Sequence, residues 1–273
     1  MPESPEVQVL ADDLGARLAG RDFLGGELEE FRVLKTRARP LAQLEGHTVT
    51  GVRRYGKHVD LATDEGRGPH LVISFGRAGW AAWDPVTAET PAPVVAHLAF
   101  DGAQLELTDA GEWLSLGVSV VDDPMEVGSI AKLGADPLDP SYSRRDFDRV
   151  VGSRRKQLKA LLQEQESIAG IGNAYSDEIL HTAKIAPLAH AAALSDDERD
   201  RLFAAVESVM RDATAARRGI PIAELKAAKV ASMRVHGRTG EACPVCGTTI
   251  LDIPGGTGSS SGQYCPFCQG GVA

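Results

Sequence analysis

The sequence predicts an α+β protein in three parts: a helix leading a β-rich region, a helical region, and a small cysteine-held unit at the end. Three observations predict it. Apolar residues recur at helical spacing near the start, then in short runs broken by Gly and Asp, then at helical spacing again. All four cysteines fall in the last thirty-one residues, as two Cys-x-x-Cys pairs. The chain has 273 residues, 43% of them hydrophobic, which is enough for two packed cores.

The leading helix covers residues 5–18, with Val7, Leu10, Leu14 and Leu18 on one stripe and Gly20 beyond its end. Ser4 suits the N-cap, Pro5 the first helical position, and Glu6 the positive end of the helix dipole. From 22 to 122, runs at 48–52, 59–62, 71–75, Val94–Phe100 and 105–107 read as strands of a β-sandwich or a barrel. A connection rich in proline follows, at Pro124 and across 137–140. Leu158, Leu161 and Leu162 then mark one helix, residues 174–183 a second, and residues 196–213 a longer one opened by Ser195. These elements divide the chain into a first domain at 1–125, a linker at 126–145, a helical domain at 146–235 and a cysteine unit at 236–273. No internal repeat is present.

Cys243 and Cys246 are separated from Cys265 and Cys268 by eighteen residues, a spacing suited to one four-thiolate zinc site. Cys-Pro-Val-Cys-Gly has the tight-turn composition of a zinc knuckle. Disulfides, a redox pair and bound iron are the alternatives, and a reducing cytosol disfavours the first. The run at 255–262 consists of Gly, Ser and Thr, so the metal is expected to hold this unit together.

The net charge of −9 argues against a polyanionic partner unless the basic residues cluster. They do, at Arg53, Arg54 and Lys57; at Arg154, Arg155 and Lys156; and at Arg217, Arg218, Lys226, Lys229, Arg234 and Arg238. There is neither an apolar run long enough for a membrane span nor a secretory signal, so a cytoplasmic location and no membrane partner are expected.

Two motifs carry chemistry. Removal of Met1 would leave Pro2 as a secondary amine beside the Glu3 carboxylate. Such an amine adds to an aldehyde carbon to give an iminium ion, which stays cationic and draws electrons from neighbouring bonds. In Gly170-Ile171-Gly172-Asn173, two glycines and an amide stand at the mouth of a helix, where backbone N–H groups can hold a phosphate. Read plainly, the same glycines merely allow two helices to pack closely.

Together with Arg53-Arg54-Tyr55-Gly56-Lys57 and the run Val235-His236-Gly237-Arg238-Thr239-Gly240-Glu241 before the cysteines, these motifs resemble the formamidopyrimidine-DNA glycosylase / endonuclease VIII family of base-excision repair enzymes. The resemblance implies an N-terminal β-sandwich, a helix-two-turn-helix domain and a C-terminal zinc ribbon with one structural zinc. It also implies a monomer that acts on damaged double-stranded DNA in the nucleoid. By resemblance Pro2 attacks the sugar of an extruded nucleotide, Glu3 shuttles protons, Glu6 positions the amine and Lys57 contacts a phosphate. Removal of an oxidised base would be followed by nicking at both phosphates. Asn173 matches the family's phosphate-binding asparagine, and Arg238 lies in the matched run before the zinc ribbon as a further DNA contact.

The chain also departs from the family. Arg77 stands where the family fills the gap left by the flipped base with Met. Glu112 and Trp113 stand where it uses Arg and Phe; Trp113 can still wedge into the stack, whereas Glu112 repels phosphates. Ser260, or another residue of the lengthened Gly/Ser run, falls at the position of the zinc-ribbon Arg. The long lesion-capping loop has no counterpart near 218–229. Two other readings therefore stay open: a paralogue that binds damage without excising it, or only as a lyase, and a zinc-ribbon adaptor between proteins.

Overall fold

In the computed structural model, residues 2–84, 92–152, 154–255 and 262–270 are described. Two compact units form: residues 1–132 with Arg217–Lys226, and residues 133–216 with 227–273.

In the first unit, helix α1 (Ser4–Leu18) is followed by β1 (Phe23–Leu28), β2 (Val49–Tyr55), β3 (His58–Thr63), β4 (His70–Ser74), β5 (Gly79–Trp83), β6 (Val94–Phe100), β7 (Ala103–Asp109), β8 (Gly117–Val121) and the short α2 (Gly128–Ala131). The strands make two four-stranded antiparallel sheets, ordered β1-β6-β7-β5 and β2-β3-β4-β8, so the β region is a sandwich. Val7, Leu10, Leu14 and Leu18 of α1 join Leu61, Ile73, Leu105, Leu107 and Val118 in one core. Three strands are additional to those read from sequence. β1 carries two glycines, β5 begins with one, and β8 is buried along its whole length, which erases the alternation that marks a half-buried strand.

The start of α1 corrects one expectation. The N-cap is Glu3, whose carboxylate accepts the Glu6 N–H while the Glu6 carboxylate accepts the Glu3 N–H at 3.1 Å. Ser4 lies one residue inside the helix, and its hydroxyl donates to the Gly56 carbonyl at 3.0 Å instead of capping.

The second unit contains α3 (Arg144–Val151), α4 (Leu158–Leu162), α5 (Asn173–Ala183), α6 (Asp196–Arg217, whose last residue belongs to the first unit) and α7 (Leu225–Ser232, which begins in the first). Ser195 and Glu198 form the expected cap of α6 by reciprocal side chain to backbone bonds. α6 runs four residues beyond the expected 213. Phe147, Leu158, Leu161, Tyr175, Ile179, Leu202 and Met210 make its core. The chain ends in a ribbon whose strands β9 (Leu251–Asp252) and β10 (Gln263–Tyr264) pair antiparallel over a small core of Val235, Cys243, Ile250 and Cys265. Among the described residues, no helix is long and apolar enough to cross a membrane.

Candidate active site and nucleic-acid interface

The first turn of α1 is sealed inside the first unit. Pro2 is buried, and Glu3 and Glu6 are each 1% exposed. Glu6 Oε1 meets the Nε of Arg217 at 2.7 Å, and the Arg217 side chain is itself 2% exposed. The other Glu6 oxygen takes the Glu3 N–H, so one carboxylate ties the capping residue to a buried guanidinium. This corrects the placement of Arg217 in a surface basic cluster: the extra turn of α6 delivers it to Glu6.

The β2–β3 turn is bound to the same helix start. Gly56 adopts φ +53°, in the region that favours glycine, and its carbonyl accepts both the Ser4 hydroxyl and the Arg54 guanidinium at 3.0 Å. Arg54 also donates to Ser4 Oγ at 3.0 Å and to Gln8 Oε1 at 2.8 Å. His58 closes the turn from the other side. Its Nδ1 donates to the Tyr55 carbonyl at 3.1 Å and its Nε2 accepts from Ser129 Oγ at 2.9 Å. Burial lowers the pKa of His58 and so favours the neutral ring, in which Nε2 takes the Ser129 hydroxyl proton. Half-buried Lys57 therefore sits in a turn fixed at both ends and anchored to the residues beside Pro2.

Arg77 and Trp113 lie on two loops that a single serine joins. Ser115 Oγ accepts the N–H of Arg77 at 2.8 Å and of Ala78 at 3.2 Å. Asp109 in turn accepts the N–H groups of Gly111, Ser115 and Leu116 and the Ser115 hydroxyl. These bonds pull the Asp109 carboxyl below its ordinary range despite the opposing effect of burial. Gly76, with φ +55°, leaves 2.2 Å between a built Cβ and the Ser115 carbonyl oxygen, so only glycine permits this approach. The result is a rigid base from which Arg77, Glu112 and Trp113 project, with Trp113 79% exposed.

In the second unit, Asn173 opens α5, next to Gly172 at the N-cap. Its side-chain oxygen accepts from Gln163 Nε2 at 3.2 Å and its carbonyl from Lys159 Nζ at 3.2 Å. Lys159 also pairs with Asp177, which is fully buried. Asp177 further accepts the His236 ring at 2.7 Å and the Gln263 N–H at 3.1 Å. Glu178 accepts the N–H groups of Arg234, Val235 and His236, each at 2.9 Å. Burial nevertheless pushes the Glu178 pKa up.

The four cysteine sulfurs lie within 4.8 Å of one another, with Cys243–Cys268 at 3.9 Å and Cys246–Cys265 at 3.4 Å. Tetrahedral Zn–S bonds of about 2.3 Å set ligand sulfurs about 3.8 Å apart, so the donor set fits such an ion. Thr248 hydrogen bonds draw the Cys246 thiol down, whereas burial pushes those of Cys265 and Cys268 up. The cysteine cluster fits the expected metal, and it is not the only tie on this unit. The ribbon is also bonded to α5 through Asp177 and Glu178, and Gln269 Nε2 donates to the Ile185 carbonyl at 3.0 Å.

Sequence comparisons bear on this geometry. A family model described as the formamidopyrimidine-DNA glycosylase N-terminal domain matches residues 1–113, and one for the glycosylase H2TH domain matches 133–223. A formamidopyrimidine-DNA glycosylase of Listeria innocua is 31% identical over 98% of this chain and 100% of its own length. The chain belongs to the formamidopyrimidine-DNA glycosylase family. Another member, an uncharacterised glycosylase-like protein of Mycobacterium tuberculosis, is 45% identical over 51% of this chain and 85% of its own. Among solved structures, the MutM (Fpg) protein of Thermus thermophilus matches with a TM-score of 0.83 and 26% identity over the whole of both chains.

Within this family member, the structure gathers Pro2, Glu3, Glu6 and the Lys57 turn at one place, and Arg77 with Trp113 at another. Arg238 is half-exposed and engaged with Glu241 at 2.6 Å, an ion pair that a phosphate would have to displace. Ser260 lies outside the described residues. The basic field is thinner than the sequence suggests: Lys229 is buried over the Tyr175 ring, and Arg154 and Lys156 both pair with Glu164. Arg217, Ser115, Asp177 and Glu178 make contacts that hold the candidate site residues and their neighbours, and sequence reasoning missed these contacts.

Proposed function

We propose that this protein is a DNA repair glycosylase that removes damaged bases through an imine at Pro2 and then acts as a lyase on the abasic site. After Met1 is removed, the Pro2 nitrogen attacks C1′ of an extruded nucleotide and gives up its N–H proton, while the N-glycosidic bond breaks and its electron pair leaves on the base, which is protonated. Opening of the sugar ring transfers a proton to O4′ and leaves the C1′ iminium. Loss of a C2′ proton to a general base then expels the 3′ phosphate, and loss of the C4′ proton expels the 5′ phosphate. Glu3 is the proton carrier in this scheme, Glu6 holds the amine's segment, and Lys57 meets the phosphate. Asn173, Arg77, Trp113 and Arg238 hold the damaged duplex, with Trp113 stacking on bases. Cys243, Cys246, Cys265 and Cys268 bind one zinc, which fixes the ribbon and takes no part in the chemistry.

The observation that carries this reading is the first turn of α1, where Pro2 precedes two buried carboxylates, Glu6 pairs with Arg217 and Ser4 bonds the Gly56 carbonyl. Exposed Glu112 beside Trp113 favours a second reading, lyase action without base excision, because a carboxylate there opposes a stacked duplex. Borohydride added to untagged protein and an abasic-site duplex should trap a covalent adduct, and Pro2→Gly should lose most of it. Undiminished trapping by Pro2→Gly, or none by the processed wild type, overturns the proposal. Release of oxidised bases from intact duplexes separates the two readings.

A further inference from the structure

Helix α5 ends against the cysteine ribbon in a contact that the proposed chemistry does not use. His181 is 3% exposed, and its Nε2 lies 3.3 Å from the Sγ of Cys243. Its Nδ1 is buried and has no hydrogen-bond partner among the described residues. The sulfur is therefore the polar group that orients this ring. A metal-bound thiolate can accept a hydrogen bond but has no proton to donate. The nitrogen facing it must carry the hydrogen, whatever the state of the other nitrogen.

His181 occupies the face of α5 that already grips the ribbon. Asp177 and Glu178, four and three residues earlier and hence on the same side of the helix, take N–H groups from Gln263 and from Arg234, Val235 and His236. Beyond the helix, the Ile185 carbonyl accepts Gln269 Nε2, while Gln269 Oε1 accepts the Cys265 N–H at 2.9 Å. These bonds secure the backbone on either side of the cysteine pairs. His181 alone among these α5 residues touches a ligand sulfur.

We propose that His181 is a positioning residue for the metal centre: its Nε2–H donates to the Cys243 thiolate and slows loss of the ion. This inference rests on the reading that the four cysteines hold zinc. An N–H···S bond draws charge from the sulfur, making it a weaker target for the proton whose arrival opens a metal–thiolate bond. The same bond fixes the side-chain angle of Cys243, so the sulfur waits at its ligand position instead of rotating away.

The test follows zinc release from the full-length, zinc-loaded protein to an excess of a chromophoric chelator. His181→Phe fills the same space without a donor and should release zinc about 10-fold faster or more, in line with the loss of other outer-shell partners. His181→Gln, which keeps an N–H donor, should recover part of the slow release. Cobalt substitution gives a second readout: the sulfur-to-cobalt charge-transfer band should shift in His181→Phe and move back towards wild type in His181→Gln. His181→Met serves as the donor-free variant if the aromatic ring does not pack. Equal release rates and identical cobalt bands in the wild type and a folded donor-free variant overturn the proposal. Absence of stoichiometric metal from the wild-type protein would instead overturn the zinc reading beneath it.

Discussion

Two pairs of neighbouring buried acids lie in the two candidate functional regions and are held in opposite ways. At the start of α1, Glu6 meets the Arg217 guanidinium and the Glu3 N–H, while Glu3 caps its own helix. In α5, Asp177 and Glu178 receive four backbone N–H groups from the distant segments 234–236 and 263, along with Lys159 and His236. Acids caged by backbone donors from far along the chain act as architecture. They bind a ribbon to a helix and survive the loss of any one side-chain partner. An acid balanced by a guanidinium can be unsettled by one substitution. That suits the chemistry proposed above, in which charge must be set with care around the Pro2 amine.

The largest effect should come from unbalancing the first pair. Arg217→Met leaves the Glu6 carboxylate buried beside an apolar chain and should cost about 3–5 kcal/mol in urea unfolding. Adding Glu6→Gln should restore much of this loss. If Arg217→Met alone is neutral, the contrast with α5 collapses.

Lys159→Met should cost less, about 1–3 kcal/mol, because Asp177 keeps its bonds from His236 and the Gln263 N–H. A loss equal to that of Arg217→Met would show that the backbone cage adds nothing. Trp113→Ala should change stability by no more than about 0.5 kcal/mol, since the ring is exposed. It should weaken binding of abasic duplex by about 1–3 kcal/mol in a fluorescence titration, and unchanged affinity would remove Trp113 from the interface.

The smallest effect is a pH dependence at the partly exposed acid Glu164. Hydrogen bonds from Lys156, then Ser167 and Arg154, hold it at about 2, below its ordinary 4.5. With the folded value depressed, its contribution is fully present above 4.5 and is lost as pH falls towards 2. Glu164→Gln should therefore flatten the acid decline of the thermal midpoint in that window. An unchanged decline would assign the acid sensitivity to other groups.

Much of the fold could be read from sequence wherever periodicity was clean. The α1 stripe and the strand at Val94–Phe100 are examples, as are the helices that begin at Leu158 and Asn173. Strand β8 was hidden because burial on both faces leaves no alternation, and β1 because its paired glycines mimic a turn. At the site, Pro2, Glu3, Glu6 and the four cysteines stand out because their chemistry is local in sequence. Arg217, Ser115 and Glu178 do not, since each acts on residues tens to hundreds of positions away and no local spacing records such a partner. Local signals also misplaced Ser4, whose hydroxyl is drawn to Gly56 by a tertiary contact.

The most direct test is to locate the covalent bond itself. Borohydride-reduced adduct from the native protein and an abasic duplex, digested and mapped by mass spectrometry, should carry the sugar remnant on the peptide that begins with Pro2. A remnant on a lysine such as Lys57, or a native N-terminus that retains Met1, would contradict the assignment of the Pro2 nitrogen as nucleophile.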